Sequence, residues 1–252
     1  MLDSFNDGEQ FKLAVPVIAG GRRDLPVGTA FLVLRQDAHS LFMTARHVVE
    51  AADDVAVVVG ESHEASMDES GGKIILREIP AMKVLNSARF DVALIVTDEP
   101  CDGLLLLPFG RTKSLTAEFF NLEYTQSLRD PNSDLVRAEP SYHVGRAVRR
   151  TFVPDRLTGA MMSVMSMPWP AWAGSSGSPV IELNPKGWTI AGMVLENQES
   201  ERLPAHLETI VAEDGEVSES VKYFVPHALV ITERHLYEVM ADEFGALFKG
   251  SR

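Results

Sequence analysis

The sequence of 252 residues predicts an all-β fold. Short apolar runs, many of them β-branched or alternating with polar residues, recur at the spacing of β-hairpins. Glycine pairs at Gly20-Gly21 and Gly71-Gly72 provide natural turns between such runs. Apolar residues at helical spacing occur near the C-terminus, at Leu236, Met240, Phe244 and Leu247. We therefore expect two β units followed by a docked C-terminal helix.

The expected strands fall into two groups, one in each half of the chain. In the first half they are Leu13–Ile18, Ala30–Leu34, Leu41–Thr44, Val55–Val59, Lys73–Leu76 and Val92–Val96. In the second half they lie near Ser141–Phe152, Ala160–Met167, Pro179–Leu183, Trp188–Leu195 and Val221–Val225. Pro108–Arg111 is the expected connector, so the chain divides into a unit 1–110 and a unit 111–252.

Two helices are expected beside these strands. A short one, Ala45–Ala51, follows the strand that ends at Thr44. The second spans Thr232–Phe248. Thr232 is a suitable N-cap, and Glu233 lies in the first turn, where the helix dipole favours a negative charge. The apolar stripe of this helix predicts that it packs on a β unit.

The composition limits the classes of function. The formal net charge is −13, which disfavours nucleic acid as the main partner and favours neutral or basic partners. No apolar run approaches the ~20 residues that a membrane helix needs, so no membrane partner is expected. Cys101 is the only cysteine and the N-terminus lacks the pattern of a signal peptide, so we expect a reducing, cytoplasmic location.

Three residues in separate segments form one candidate catalytic set. His47 follows a predicted strand in Thr44-Ala45-Arg46-His47-Val48-Val49, and imidazole titrates near neutral pH, as a general base must. Asp91 directly precedes an apolar strand, a position that the role of orienting a histidine would explain. Ser176 lies in the turn Gly174-Ser175-Ser176-Gly177-Ser178, before another apolar strand. A nucleophile, a base and an orienting acid are what acyl transfer to water requires.

The turn around Ser176 also predicts an oxyanion hole. Its small residues allow a tight backbone turn that directs the N–H groups of Gly174 and Ser176 toward one point. Taken singly, each candidate has an ordinary alternative: a Gly/Ser turn for Ser176, a surface or core position for His47, and a strand-start turn for Asp91. The order His, Asp, Ser excludes an α/β-hydrolase, whose order is Ser, Asp, His.

These segments resemble the three motif blocks of the chymotrypsin/trypsin-like serine peptidases, and the roles of base, orienting acid and nucleophile are carried over from that family. The matching blocks are Thr44–Val49, Asp91–Leu94 and Gly174–Val180, and Gly28–Val33 and Ala191–Val194 agree as well. The resemblance covers residues 10–230 and implies two six-stranded antiparallel β-barrels with the site in the cleft between them. The segment Tyr223-Phe224-Val225-Pro226, followed by a terminal helix, is similar to bacterial HtrA-like peptidases, here without a PDZ domain.

The resemblance also indicates where substrate specificity is set and where this chain departs from the family. The base of the primary pocket falls near Pro170, six residues before Ser176, and no acidic residue stands there. Leu195 occupies a position at which the family often has a serine that supports the aspartate. Glu196 and Asn197 fall on the expected pocket wall. The candidate substrate-binding residues are therefore Pro170, Leu195, Glu196 and Asn197.

The expected function is that of a bacterial serine endopeptidase that needs no cofactor and no metal ion. Ser176 attacks the scissile carbonyl of a protein or peptide substrate, His47 takes its proton, and Asp91 orients His47. Because a cytoplasmic peptidase must be restrained, we expect narrow specificity or control by a protein partner. The alternative from another class is a peptidase-fold binding module, or latent pseudo-peptidase, that holds a protein partner without turnover.

Overall fold

The computed structural model consists almost entirely of antiparallel β-structure. It describes residues 12–20, 26–36, 38–61, 75–111, 114, 116–124, 140–184, 187–197, 206–211, 217–222 and 227–245. Within these ranges the strands form two seven-stranded sheets and one two-stranded sheet. The all-β fold predicted from the sequence is therefore confirmed.

The first sheet is built from the first seven strands of the chain. They are β1 (Val15–Ala19), β2 (Gly28–Gln36), β3 (His39–Thr44), β4 (Val55–Glu61), β5 (Ile75–Pro80), β6 (Lys83–Asn86) and β7 (Ala93–Thr97). Their order across the sheet is β5-β4-β1-β2-β3-β7-β6. A one-turn helix, α1 (Arg46–Val49), follows β3 directly, inside the segment for which the sequence predicted a short helix.

The two outer strands of this sheet are halves of one bent strand. Only Ala81 and Met82 separate β5 from β6. The N–H of Ala81 donates to the carbonyl of Val55 and the N–H of Met82 to the carbonyl of Val96, both at 2.8 Å, so the ladder continues through the bend on both sides. The bent strand thus joins β4 at one edge of the sheet to β7 at the other. It closes the sheet into a barrel of six strands.

The second sheet closes in the same way. It contains β8 (Phe119–Tyr124), β9 (Pro140–Gly145), β10 (Arg149–Pro154), β11 (Met161–Met167), β12 (Pro179–Asn184), β13 (Gly187–Asn197) and β16 (Ala228–Thr232). Their order is β10-β11-β16-β13-β12-β8-β9, so β9 and β10, which are consecutive in the chain, lie at the two edges. In the bend between them the N–H of Val148 donates to the carbonyl of Ser166 at 2.8 Å. The two six-stranded barrels that the resemblance implied are therefore present.

A separate hairpin lies between β13 and β16 in the chain. It consists of β14 (His206–Val211) and β15 (Val217–Lys222), which pair with each other in antiparallel register. The sequence placed the last strand of the second unit at Val221–Val225, and this was wrong in position. β15 ends at Lys222, residues 223–226 lie outside the described residues, and the strand that enters the barrel is β16.

Four strands escaped prediction, β6, β8, β14 and β16, and for three of them the reason is identifiable. β6 offers only two apolar residues between a lysine and an asparagine. β8 carries Asn121 and Glu123, which are fully buried on the inner side of the barrel although their polarity is typical of a surface strand. β16 is followed directly by the apolar pattern of the C-terminal helix, so the sequence shows no boundary between the strand and the helix. Burial in the barrel stabilises β8 and β16, whereas β6 is only partly buried and is held by its pairing with β7, so the local pattern decides none of the three.

Apolar side chains fill both barrels and the seam between them. All five residues of β7 and all five of β16 are buried. One hydrophobic cluster includes Phe31 and Leu94 from the first barrel together with Leu122 and Ile231 from the second. Fully burying such a side chain contributes about 1.5–3 kcal/mol each. The two barrels are therefore held together by a continuous core.

The C-terminal helix begins where the sequence predicted but changes its winding. The helix α2 (Glu233–Glu238) has Thr232 as its N-cap residue, although the threonine side chain makes no capping hydrogen bond. It continues as a π-helical segment at Val239–Glu243. The predicted end of the helix, Phe248, lies outside the described residues. No helix in the described ranges is both long and apolar enough to span a membrane.

Gly192, in the middle of β13, is a position at which the barrel has no room for a methyl group. A Cβ here would overlap the carbonyl oxygen of Ile231 and lie 2.6 Å from Cγ1 of Val230, both in β16. We expect Gly192→Ala to lower the free energy of unfolding by about 1–3 kcal/mol, measured by urea denaturation. Gly103→Ala is the matched control, because a Cβ there has no atom within 4 Å. Equal midpoints for the two variants would contradict the expectation.

Candidate active site

His47 stands on the one-turn helix α1 at the edge of the first barrel. After β3, Ala45 remains extended (φ −71°, ψ 138°), and the helix then begins. Val48 and Val49 are buried and anchor the turn to the core. The side chain of His47 is 38% exposed. The imidazole is therefore fixed to the barrel while one side of the ring stays accessible.

Two hydrogen bonds join His47 to Asp91. The imidazole Nδ1–H donates to Oδ2 of Asp91 at 2.6 Å, and the backbone N–H of His47 donates to Oδ1 at 2.9 Å. Asp91 is 7% exposed and lies just before β7. Because a carboxylate only accepts hydrogen bonds, the proton of the neutral ring is on Nδ1 and Nε2 is left to accept one. The fold thus brings together the two residues that the sequence paired as base and orienting acid.

The surroundings raise the pKa of His47 above its ordinary value. Burial of the ring disfavours the cation and opposes this change, but the hydrogen bond to Asp91 and its negative charge outweigh burial. Glu196 and Glu50 add smaller contributions in the same direction. A raised pKa keeps the ring protonated to a higher pH than in a free histidine. The capacity to accept a proton is lost as the pH falls through this pKa.

Ser176 lies in a tight turn of the second barrel, just before β12. The N–H of Gly177 donates to the carbonyl of Val194 at 2.8 Å, which fixes the turn on β13. Gly177 has a φ of 87°, in the left-handed region that favours glycine. A Cβ on Gly177 would lie 2.9 Å from the backbone nitrogen of Ala45, so the turn packs on the segment that leads into α1. Ser176 and His47 are thereby brought to the same seam between the barrels.

The hydroxyl of Ser176 donates to the carbonyl oxygen of Leu195 at 2.7 Å. Within the described residues there is no hydrogen bond between this hydroxyl and the imidazole of His47. Leu195 was a candidate substrate-binding residue. Its side chain is only 2% exposed, so it is the backbone carbonyl of Leu195 that contacts the serine. The hydroxyl can turn from Leu195 toward His47 only if the Ser176 side chain rotates about its Cα–Cβ bond.

Gly174 and Ser176 present unpaired backbone N–H groups. Neither donates to another group in the part of the chain that the structure describes, whereas the N–H of Ser175 between them turns back to the carbonyl of Trp172 at 3.0 Å. Gly174 has a φ of 97°, which again favours glycine. Buried backbone N–H groups in proteins are nearly always paired. Two unpaired ones, two residues apart in one turn, match the predicted oxyanion hole.

The remaining candidate substrate-binding residues surround this turn. Pro170 is half-buried in the segment between β11 and the serine turn. Glu196 forms an ion pair with Arg156 at 2.8 Å, and its charge acts on His47. Asn197 is the last residue of β13, and its side chain lies outside the described residues. Of the four candidate substrate-binding residues, Glu196 is therefore the one whose charge acts on the imidazole, in addition to Asp91 and Glu50.

Asp155 is a site residue that the sequence did not reveal. It lies in the turn between β10 and β11, is 2% exposed, and its Oδ2 accepts the backbone N–H of Asp91 at 2.6 Å. Its Oδ1 accepts the N–H groups of Leu157 and Thr158 at 3.0 and 2.9 Å. The Asp-x-x-Thr-Gly pattern signals this local turn. Nothing in it indicates the contact with Asp91, which is 64 residues away in the chain.

Other reactive groups are absent from the described part of the site. Within the ranges given above, no group of three or more His, Cys, Asp or Glu side chains is placed to hold a metal ion. Cys101 is buried, and burial raises the pKa of its thiol. A protonated thiol is a poor nucleophile, so Cys101 is not a competing candidate.

Comparison with solved structures identifies the fold. The chain is similar to the MamO protease domain from Magnetospirillum magneticum, at 14% identity and a TM-score of 0.56, over 91% of this chain and 96% of that one. It is also similar to the active form of the Rv3671c protease from M. tuberculosis, at 18% identity and a TM-score of 0.58, over 93% of this chain and 82% of that one. The inactive form of Rv3671c gives a TM-score of 0.57 at 17% identity, over 93% and 90%.

An HtrA-type protease is similar as well. AlgW, with a tripeptide, matches at 14% identity and a TM-score of 0.55, over 92% of this chain and 60% of that one. No family model and no curated protein matches the sequence. The chain therefore has the double-barrel fold of HtrA-type, chymotrypsin-like protease domains, at identities too low to carry more than the fold.

The charge of Glu196 gives a direct test of this electrostatic picture. Because it raises the pKa of His47, Glu196→Gln is expected to lower that pKa, measured by NMR titration of the imidazole C–H signals. The change should be smaller than that of Asp91→Asn, since Glu196 is partly exposed and paired with Arg156. Glu99→Gln is the control, because Glu99 is not among the charges that act on His47. An unchanged pKa in Glu196→Gln contradicts the assignment.

Proposed function

We propose that the protein is a serine endopeptidase that hydrolyses peptide bonds through His47, Asp91 and Ser176. The observation that carries the proposal is the pair of hydrogen bonds between His47 and Asp91, beside a serine turn with two unpaired N–H groups. The protease domains that share the fold support the class of reaction. AlgW with its tripeptide supports a peptide as the ligand. Unit 1–110 then supplies His47 and Asp91, and unit 111–252 supplies Ser176.

Acylation begins when the hydroxyl of Ser176 leaves the carbonyl of Leu195 and turns to Nε2 of His47. The serine oxygen bonds to the scissile carbonyl carbon while its proton passes to Nε2. The carbonyl oxygen becomes an oxyanion, which the N–H groups of Gly174 and Ser176 bind. Asp91 stabilises the imidazolium that forms. His47 then gives the proton to the leaving amine as the carbon–nitrogen bond breaks, and the acyl group remains on Ser176.

Deacylation repeats the same steps with water. The water oxygen bonds to the acyl carbon while His47 takes a proton from the water. The N–H groups of Gly174 and Ser176 bind the second oxyanion. The bond to the serine oxygen then breaks, and His47 returns the proton to Ser176. Each oxyanion donor is typically worth about 2.7–4 kcal/mol of transition-state stabilisation. No step consumes a cofactor.

Substrate binding is assigned to the residues that border the serine and the histidine. Pro170 and Leu195 lie next to the serine turn in the chain or in space, and Glu196 and Asn197 continue β13 beyond Leu195. The negative charge of Glu196 near the imidazole favours neutral or basic substrates over acidic ones. We place this activity in the bacterial cytoplasm, acting on protein or peptide substrates, and independent of nucleic acid and membrane.

A second candidate function is a latent pseudo-peptidase that holds a protein partner without turnover. The hydrogen bond from Ser176 to the carbonyl of Leu195 favours it, because in this arrangement the nucleophile is not directed at its base. Both the active and the inactive form of Rv3671c share the fold of this chain at nearly the same TM-score. The double-barrel fold alone therefore does not decide activity, and we propose that a protein partner that binds near the serine turn is the regulator.

Covalent labelling with a fluorophosphonate distinguishes the two candidates. The serine oxygen displaces fluoride from phosphorus only when a base activates it, so we expect labelling confined to Ser176, mapped by mass spectrometry. Ser176→Ala should abolish labelling, and Ser114→Ala, which removes an exposed hydroxyl that is hydrogen-bonded to Thr116, should not change it. If a well-folded wild-type protein does not react with the probe, the proposal of an active peptidase is wrong and the binding module remains.

Substitution of the catalytic residues should give losses that do not add. Ser176→Ala and His47→Ala are each expected to lower kcat by about 10⁶-fold, and the double variant by no more, because the residues act as one unit. Turnover is measured on a fluorogenic peptide selected from a library, with circular dichroism to verify folding. Retained proteolysis in Ser176→Ala contradicts the nucleophile assignment. Rapid degradation of unfolded casein by the isolated protein contradicts restraint by specificity or by a partner, but not the triad.

A further inference from the structure

Thr29, near the start of β2, is a fully buried residue of the first barrel that contacts the serine turn of the second. Its N–H donates to the carbonyl oxygen of Ser176 at 2.9 Å. Its hydroxyl donates to the carbonyl oxygen of Gly174 at 2.7 Å. Thr29 lies in the block Gly28–Val33 that resembles the family, but that resemblance assigned it no role, and 145 positions separate it from Gly174 in the chain. The hydroxyl and the backbone N–H of Thr29 therefore hold the carbonyls of Gly174 and Ser176, the two residues that flank Ser175.

The direction of the hydroxyl hydrogen is determined by a third bond. The backbone N–H of Tyr124, in β8, donates to Oγ1 of Thr29 at 3.0 Å. Because that N–H occupies a lone pair of the hydroxyl oxygen, the hydroxyl hydrogen is left to donate to Gly174. The carbonyl of Thr29 in turn accepts the hydroxyl of Thr44 at 2.8 Å. Thr29 is thus held by both barrels, and its bond to the serine turn has one geometry.

These bonds fix the peptide plane between Gly174 and Ser175 at both ends. Thr29 holds its carbonyl oxygen, and the carbonyl of Trp172 accepts its N–H at 3.0 Å. Rotating this peptide breaks both bonds and swings the Gly174 oxygen away from Thr29. A carbonyl oxygen that turned toward the side of the unpaired N–H groups would place a negative dipole where an oxyanion forms. The hydroxyl of Thr29 opposes that rotation.

We propose that Thr29 is the positioning residue of the oxyanion hole: its hydroxyl holds the Gly174–Ser175 peptide so that the N–H groups of Gly174 and Ser176 stay directed at the reacting oxygen. This inference rests on the proposed function. It assigns no contact between Thr29 and substrate. Thr29 acts only through the turn, so its loss affects the stabilisation of the transition state more than the binding of the ligand.

The test uses Thr29→Val, which keeps the shape of the side chain and removes the hydroxyl. The probe is a fluorophosphonate, whose phosphoryl oxygen takes the place of the oxyanion when Ser176 attacks. We expect the maximal inactivation rate to fall at least about tenfold, toward the hundredfold or more typical of a lost oxyanion donor. The concentration for half-maximal rate should change by less than about threefold. Thr29→Ser, which retains the hydroxyl, should recover most of the rate.

A matched control separates positioning from a general loss of stability. Thr97 is also fully buried in the first barrel, and its hydroxyl donates to the carbonyls of Ser40 and Glu99, both at 3.2 Å. Thr97→Val should lower the melting temperature to a similar degree as Thr29→Val and leave the inactivation rate within about twofold, since it does not touch the turn. Equal rate losses in the two valine variants overturn the inference.

The remaining outcomes are distinct. A wild-type protein that does not react contradicts the proposed function itself. A reactive wild type with an equally reactive Thr29→Val contradicts only the role of Thr29. If Thr29→Val does not fold, Thr29→Cys replaces it, because a thiol is close in size but donates weakly. A reduced rate in Thr29→Cys, with recovery in Thr29→Ser, supports the inference, and a wild-type rate in Thr29→Cys overturns it.

Discussion

The site depends on a seam between the two barrels where backbone meets backbone. Gly177 has no space for a Cβ, which would overlap the carbonyl of Thr29 and the hydroxyl of Thr44, and its φ of 87° is itself unfavourable for other residues. A Cβ on Gly28 would lie 3.0 Å from the carbonyl oxygen of Ser176. Because neither glycine has a side chain, the serine turn sits directly on β2 and on the segment leading into α1. This close approach determines how far Ser176 lies from His47.

Polar contacts across the seam then fix the serine turn and Asp91 relative to the two barrels. On one side Thr29 holds the carbonyls of the serine turn. On the other, Asp155 from the second barrel holds the backbone N–H of Asp91 in the first. The side chain of Leu195 has no polar atom with which to support the Asp91 carboxylate, and the hydrogen bond that Asp91 receives from the second barrel goes to its backbone. Each barrel thus orients a functional element of the other, and neither half is complete alone.

The sequence predicted those parts of the site that have a local signature. His47, Asp91 and Ser176 each lie in a recognisable segment, the apolar and β-branched runs predicted an all-β fold, and the resemblance of these segments to a peptidase family implied the two barrels. The contacts that Thr29 and Asp155 make with the site have no local signature, because the partners are 145 and 64 residues distant and the bonds exist only once both barrels have folded. β8 was missed for a related reason: buried Asn121 finds its partners, Ser178 and the carbonyl of Pro179, only in the neighbouring strand and turn.

The resting bond between Ser176 and Leu195 is too weak to keep a peptidase silent on its own. A neutral hydrogen bond contributes a net of about 0.5–1.5 kcal/mol, and the bond to His47 that replaces it returns a similar amount. A thousandfold restraint requires about 4 kcal/mol. Loss of one oxyanion donor removes about that much transition-state stabilisation, about 2.7–4 kcal/mol, and rotation of the Gly174–Ser175 peptide away from Thr29 and Trp172 is a rearrangement that disturbs the donors. Any strong control of this site must therefore act on the serine turn as a unit, not on the rotamer of its serine.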